Sequence, residues 1–341
     1  MKHTMNYTRV AAIALVVLCL GLSACDKPKN NPPAEPATFV EQHGQLAVQG
    51  TNLVDKNGEI LVLRGVSFGW HVWFSKFYTK ETVAWLNSDW KANIVRAAIG
   101  VEPDNAYLQN PELAKTSLYN VVDGAIENGQ YVIIDWHAHY IHTEEAKAFF
   151  TQVATKYKDV PNVIYEIFNE PWDDMPWADV KAYSIEVIKT IRAIDAKNII
   201  LVGNPHWDQD VNVVADDPIT GYDNLMYTLH FYAATHKQEL RDKGNYALSK
   251  GLPIFVSECA GMEATGDGPV NMTEWNAWLK WMADRNLSWA AWSLSSKTET
   301  CSMIVADDQP GDTPAPLSNW KESDLKEWGK IVRAELRSYG L

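Results

Sequence analysis

Eight short β-type runs recur along this chain, separated by segments with helical periodicity, and that alternation limits the folds open to it. The runs cover 61–68, 93–99, 131–136, 163–168, 199–202, 225–231, 253–256 and 288–294. Between them, Val180, Ser184, Val187, Ile188, Ile191 and Ile194 recur at helical spacing, as do Trp275, Trp278, Leu279 and Met282. Strand and helix in strict alternation imply a parallel sheet. An open doubly wound sheet would be expected to carry a Gly-rich nucleotide turn, and none is present, so a closed (β/α)8 TIM barrel is the expected fold class. Ahead of the first run, 45–62 reads as a β-hairpin turning at Asp55-Lys56-Asn57-Gly58 and plugging or edging the barrel.

The segment before the hairpin has a different character. Lys2 and Arg9 precede an apolar stretch, Val10 to Leu22, that is short for a bilayer span and fits an export signal. It ends Leu22-Ser23-Ala24-Cys25, which resembles the lipobox at which bacteria cleave and lipidate the new N-terminal cysteine. Lys27 to Phe39 carries Pro28, Pro32, Pro33 and Pro36 and is expected to be an extended tether. The expected division is therefore a signal at 1–24, a tether at 25–39 and a single catalytic domain at 40–341. The expected location is outside the cytoplasm, held to a membrane through the Cys25 lipid alone.

The chain has 341 residues with a net charge of −13, which argues against nucleic acid as a partner. A neutral polymer would not be repelled. Fifteen Trp exceed what packing is expected to need and suggest flat faces for stacking on sugar rings.

In a barrel of this kind, function sits just beyond the C-terminal ends of the strands. At or near those ends stand Trp70, His71 and Trp73; Arg96, inside the second run; Trp136, His137 and His139; Asn169 and Glu170; His206 and Trp207; His230 and Tyr232; Glu258; and Trp292 and Lys297. Glu170 and Glu258 follow the fourth and seventh runs, on opposite sides of the expected mouth. Two carboxyls facing one cleft can hydrolyse a glycosidic bond, one protonating the leaving oxygen and the other attacking the anomeric carbon. Arg96 could keep Glu258 ionised, Tyr232 could hydrogen-bond it, and Asn169 could bind a sugar hydroxyl.

The motifs Val163-Ile164-Tyr165-Glu166-Ile167-Phe168-Asn169-Glu170-Pro171, Leu229-His230-Phe231-Tyr232, Phe255-Val256-Ser257-Glu258 and Trp292-Ser293-Leu294-Ser295-Ser296-Lys297 resemble family 5 glycoside hydrolases, in the branch dominated by bacterial endo-β-1,4-glucanases. The resemblance implies a retaining hydrolase of β-glucan that uses no metal or organic cofactor, and a monomer is expected. It also implies Glu170 as acid/base and Glu258 as nucleophile. By the same resemblance, Arg96, His137, Asn169, His230 and Tyr232 line the cleavage site, and Trp292 is a sugar platform. Lys297 and Glu299 would make polar contacts one sugar further on, with Trp73 and Trp207 as outer stacking positions and His139 as a further contact. Mannan, xyloglucan and mixed-linkage glucan remain alternative substrates of the same machinery.

Three positions depart from the family pattern: Cys259 stands where many members carry Trp, Ser296 where Asp is common, and Gly100 where Tyr is frequent. Cys259 follows the seventh strand and Cys301 the eighth, which are neighbours in a closed barrel, so a Cys259–Cys301 disulfide clamping the Lys297–Glu299 loop is expected. Two other readings are weaker. A metal-dependent hydrolase would use His137-Ala138-His139 as ligands, with His142, His206 and His230 as further ones, but that pair follows the third run, whereas barrel amidohydrolases place it after the first. A non-catalytic sugar-binding lipoprotein would be expected to have lost a carboxylate, and both are present.

Overall fold

The computed structural model describes Met1, 37–310 and 312–340. The expected export signal, Cys25 and nearly all of the proline-rich segment lie outside the described residues.

Eight parallel strands close into a barrel: β3 (Arg64–Phe68), β4 (Ile94–Gly100), β5 (Tyr131–His137), β6 (Val163–Glu166), β7 (Ile200–Val202), β8 (Leu225–Tyr232), β9 (Ile254–Ala260) and β10 (Trp289–Leu294), with β10 pairing back onto β3. Each expected run contains or overlaps one of these strands. Helices fill the connections with their apolar stripe turned to the sheet. On Trp177–Arg192 the buried residues include Val180, Ser184, Val187, Ile188 and Ile191, the periodic set read from the sequence except Ile194, which lies beyond the helix and is partly buried. Helix Met272–Ala283 buries Trp275, Trp278, Trp281 and Met282, and its first turn is capped by Asn271, whose side chain accepts from the Glu274 amide at 3.1 Å.

The hairpin turns earlier than expected. β1 (Ala47–Gln49) and β2 (Asn52–Val54) pair Gln49 with Asn52, so the two-residue loop is Gly50-Thr51, with Gly50 at φ +61°. That is the glycine-first pattern of a II′ turn. Asp55–Gly58 forms a second turn, built on the Asp55 carboxylate, which accepts from the amides of Asn57 (2.8 Å) and Glu59 (3.1 Å). The chain reaches the barrel through the short helix Phe39–His43, whose first turn Thr38 caps, so ordered backbone already begins within the expected tether.

One end of the barrel is apolar and the other polar. Val40, Leu46, Leu53, Leu61 and Leu63 pack against Ile94, Tyr131, Ile133, Ile164, Leu201, Met226 and Phe255 at the N-terminal ends of the strands. Further along the same strands the inward positions become Arg96, Asp135, Glu166, Thr228 and Ser257, all fully buried. A sealed floor beneath and ionisable groups above direct the chemistry to the C-terminal mouth.

The surplus of tryptophan is mostly core rather than sugar platform. Trp90, Trp136, Trp275, Trp278, Trp289, Trp320 and Trp328 are all fully buried. Several satisfy their indole N–H on backbone carbonyls, such as Trp278 on His236 (2.8 Å) and Trp328 on Trp292 (2.6 Å). Of the strand-end ring, Trp136 packs against Tyr107 and Phe149, and His71 is buried, its Nδ1 accepting from the Gly100 amide at 3.0 Å. These two serve packing.

Candidate active site

A β-bulge decides where the second glutamate points. β8 and β9 pair Thr228 with Phe255 and His230 with Glu258, so two steps on one strand match three on the other, and pairing of β9 with β10 slips in the same place. The extra residue breaks the period of two, so that Ser257 and Glu258 both face the barrel interior. Ser257 donates to Glu166 Oε1 at 2.6 Å, while Glu258 receives Arg96 Nη1 at 2.9 Å and the Tyr232 hydroxyl at 2.8 Å.

The next residue, Cys259, is thereby turned outward into the helix layer, where its Sγ faces the Ala290 carbonyl at 3.5 Å. Cys301 lines the cleft and lies beside Glu299. The expected Cys259–Cys301 disulfide is therefore not formed, and both thiols are free and buried. Burial pushes the thiol of Cys301 up to about 12 and that of Cys259 well above its ordinary range.

Arg96, fully buried, holds the site together. Its Nε donates to Glu166 (2.7 Å), Nη1 to Glu258 (2.9 Å) and Ser67 (3.3 Å), and Nη2 to Asn169 Oδ1 (2.6 Å) and Glu166 Oε1 (3.3 Å), while Asp135 forms an ion pair with Nη2 at 3.0 Å. Because its oxygen is taken by Arg96, the Asn169 amide presents its NH2 to the cleft. His137 Nδ1 donates to Asp135 at 2.6 Å, and its ring lies parallel to Trp292, 5.3 Å away and inclined by 2°. Burial, then the nearby Arg96 charge, hold His137 well below the ordinary histidine range, so it is a neutral donor.

His230 sits between the two halves of the cluster. Its Nε2 lies 2.9 Å from Ser257 Oγ, whose only proton is already committed to Glu166, so Nε2 must donate. Its Nδ1 is 2.9 Å from Glu170 Oε1, and Asp208 stands 3.4 Å from Nε2. Burial alone would lower His230, but Asp208, Glu166 and Glu170 outweigh it and hold the imidazole well above its usual value. Burial pushes Asp135 and Asp208 up. Glu166 is held low, because the Arg96 charge and His230 overcome its burial. Glu258 is raised by burial and the Glu170 carboxyl, against the pull of His230, Arg96 and Tyr232.

Glu170, Glu258 and His230 each present a polar atom within 4.8 Å of the others. Two hollows of 220 and 350 Å³ meet here, sharing Glu170, Tyr232, Ala264 and Thr265. Trp70, Trp73, His137, His139, Trp292, Lys297, Glu299 and Glu258 line the smaller, and Trp207, Gln209, His230 and His236 the larger. Lys297 is ion-paired with Glu299. His139 donates from Nδ1 to the Glu170 carbonyl at 3.1 Å. Ser296 donates to Asp307 (2.7 Å), fixing the loop that carries Lys297, and the space beside Gly100 is filled by Trp70, whose ring a Cβ there would approach to 2.7 Å. Among the described residues, neither His137 nor His139 joins a group of converging metal-ligand atoms, whereas His230 converges with Glu166 and Asp208 and with Glu170 and Glu258, so the His137-x-His139 pair at the centre of the metallohydrolase reading is not assembled as ligands.

The residues expected at the cleavage site, Arg96, His137, Asn169, Glu170, His230, Tyr232, Glu258 and Trp292, come together here, joined by Asp135, Glu166, Asp208 and Ser257, which the sequence did not single out. A signal for two of them existed. Counting by twos from the inward Ile164 reaches Glu166, and from Ile133 reaches Asp135 and then His137.

Comparison with known proteins agrees with this geometry. Residues 54–298 match the family described as Cellulase (glycosyl hydrolase family 5). An endoglucanase from Clostridium saccharobutylicum is 40% identical over 98% of the chain and 72% of its own length. Endoglucanase Z of Dickeya dadantii is 44% identical over 77% of the chain and 59% of its own length. The catalytic domain of Thermobifida fusca endoglucanase Cel5A superposes with a TM-score of 0.82 at 34% identity, covering 88% of this chain and 100% of that one. A substituted form of that enzyme, solved with cellotetraose, is 32% identical with the same TM-score of 0.82, over 88% of this chain and 100% of its own. With a family match over most of the barrel and relatives this similar, the chain belongs to the cellulases of glycosyl hydrolase family 5.

Proposed function

We propose that this protein is an endo-β-1,4-glucanase that hydrolyses β-glucan with retention of configuration. The observation that carries the reading is the spacing of Glu170 and Glu258, whose nearest carboxyl oxygens lie within 4.8 Å across the junction of the two hollows. Retaining enzymes hold the pair about 5 Å apart, whereas inverting enzymes need roughly 6.5–9.5 Å to admit a water.

Glu258 is the nucleophile. Arg96 and Tyr232 both donate to it, which favours its ionised form and fixes its orientation beneath the anomeric carbon. Glu170 is the acid/base. The hydrogen bond between its Oε1 and His230 Nδ1 holds the proton that passes through Glu170 to the glycosidic oxygen. As the bond to that oxygen breaks, Glu258 forms a glycosyl ester and the shortened chain leaves as an alcohol. Glu170 then takes a proton from water, whose oxygen displaces Glu258 from the anomeric carbon. The Asn169 NH2 binds a hydroxyl of the sugar undergoing attack, and Trp292 supports its ring. Lys297 and Glu299, in the hollow that also holds Glu258, bind hydroxyls of the next sugar toward the non-reducing end.

The test is hydrolysis of a panel containing a soluble β-1,4-glucan, a mixed-linkage glucan, xyloglucan and mannan by wild type and Glu258→Gln. The expected result is strongest activity on the β-1,4-glucan and a loss of about 10³-fold or more in the variant. Preference for mannan, or a variant of near wild-type activity, would contradict the reading.

A further inference from the structure

Two exposed aromatic residues beside the larger hollow have no part in the cleavage chemistry. Tyr140, in the loop after β5, and Trp172, in the loop after β6, are 49% and 40% exposed and stack on each other with centroids 5.5 Å apart and planes inclined by 23°. Leaving two large rings in water is unfavourable unless something covers them. They are also firmly held. The amides of His139 and Tyr140 both donate to Glu102 Oε1, at 3.0 and 3.1 Å, and the Trp172 amide donates to the His139 carbonyl at 3.2 Å.

The pair continues the cleft. Trp172 meets Trp207 edge to face, 5.7 Å between centroids, and Trp207 lines the larger hollow. That hollow includes Glu170 but not Glu258. Because the acid protonates the leaving oxygen, a chain running from Glu170 past Trp207 is the part of the substrate that departs first. Beside the stacked pair, Asp173 and His206 lie 3.2 Å apart and offer a carboxylate and an imidazole to sugar hydroxyls.

We propose that Tyr140 and Trp172 form an outer subsite for the leaving-group portion of a β-glucan chain, beyond the sugar that contacts Trp207. The proposal rests on the glycosidase reading above. An indole face stacks on the apolar face of a pyranose, and Tyr140, by fixing the Trp172 ring, lowers the ordering cost of binding. Only chains long enough to pass Trp207 reach the pair.

The test compares cellohexaose with an aryl β-cellobioside, whose leaving group ends before the pair, for wild type, Tyr140→Ala/Trp172→Ala and Trp172→Phe. The expected result for the double variant is a KM for cellohexaose raised about threefold to tenfold, with kcat/KM on the aryl glycoside unchanged. Trp172→Phe, which keeps a flat ring, is expected to restore most of the affinity. An unaltered KM for cellohexaose, or a parallel loss on both substrates, would overturn the subsite while leaving the glycosidase reading intact. Wild-type inactivity on both substrates would overturn the glycosidase reading and the subsite with it.

Discussion

Arg96 shows how much a single residue can decide. Its planar fork reaches Asp135, Glu166, Glu258 and Asn169 at once, a geometry that a lysine ammonium cannot reproduce. Glu166 and His230 tie the cluster to stability. Glu166 holds its proton less tightly in the folded state, so its contribution is present above about 4.5 and is lost as pH falls through its lowered value. His230 holds its proton more tightly when folded, so its contribution is present below about 6.5 and is lost as pH rises through its raised value. Both are whole between about pH 4.5 and 6.5. Melting temperatures across pH are therefore expected to show the gap between wild type and Glu166→Gln narrowing below that window, and the gap to His230→Asn narrowing above it. Gaps independent of pH would contradict these assignments. Glu170 and Glu258 were legible in the sequence because they stand near the ends of the expected runs. Asp135 and Glu166 were not, because an acidic residue inside an apolar run carries no mark of a partner until the barrel brings that partner across.

At the scale of elements, β9 is the strand that most repays attention. A regular alternation from Phe255, which faces the apolar floor, would place Ser257 inward and Glu258 outward. The bulge admits both to the interior and sends Cys259 to the helix layer. Strand runs and helical stripes could be read from periodicity, but a bulge is a break in periodicity that depends on the neighbouring strands, so the pairing of Cys259 with Cys301 was inferred from adjacency alone. Adjacent strands do not by themselves bring together a side chain on one of them and another in the loop that follows its neighbour. Alkylation of the denatured, unreduced protein followed by peptide mass mapping is expected to label both Cys259 and Cys301. Protection of both until a reductant is added would show that they are bonded. The hairpin has a similar lesson: Asp55–Gly58 carried the stronger turn signal and does turn, yet Gly50-Thr51 sets the register of β1 and β2.

In the whole molecule, parallel closure puts every strand's C-terminal end on one side, so residues distant in sequence converge on one mouth. The alternation of runs and helices made that architecture legible, and with it the ring of polar and aromatic residues. What it left open was which ring members pack and which face the cleft, since burial of His71 and Trp136 depends on loops folding over them. Double displacement requires Glu258 to form a covalent bond to the sugar. ¹H NMR of the anomeric protons in the first moments of cellopentaose hydrolysis tests this directly. The β-anomer is expected to appear first and to equilibrate later with the α form, and α-anomer as the first product would contradict double displacement.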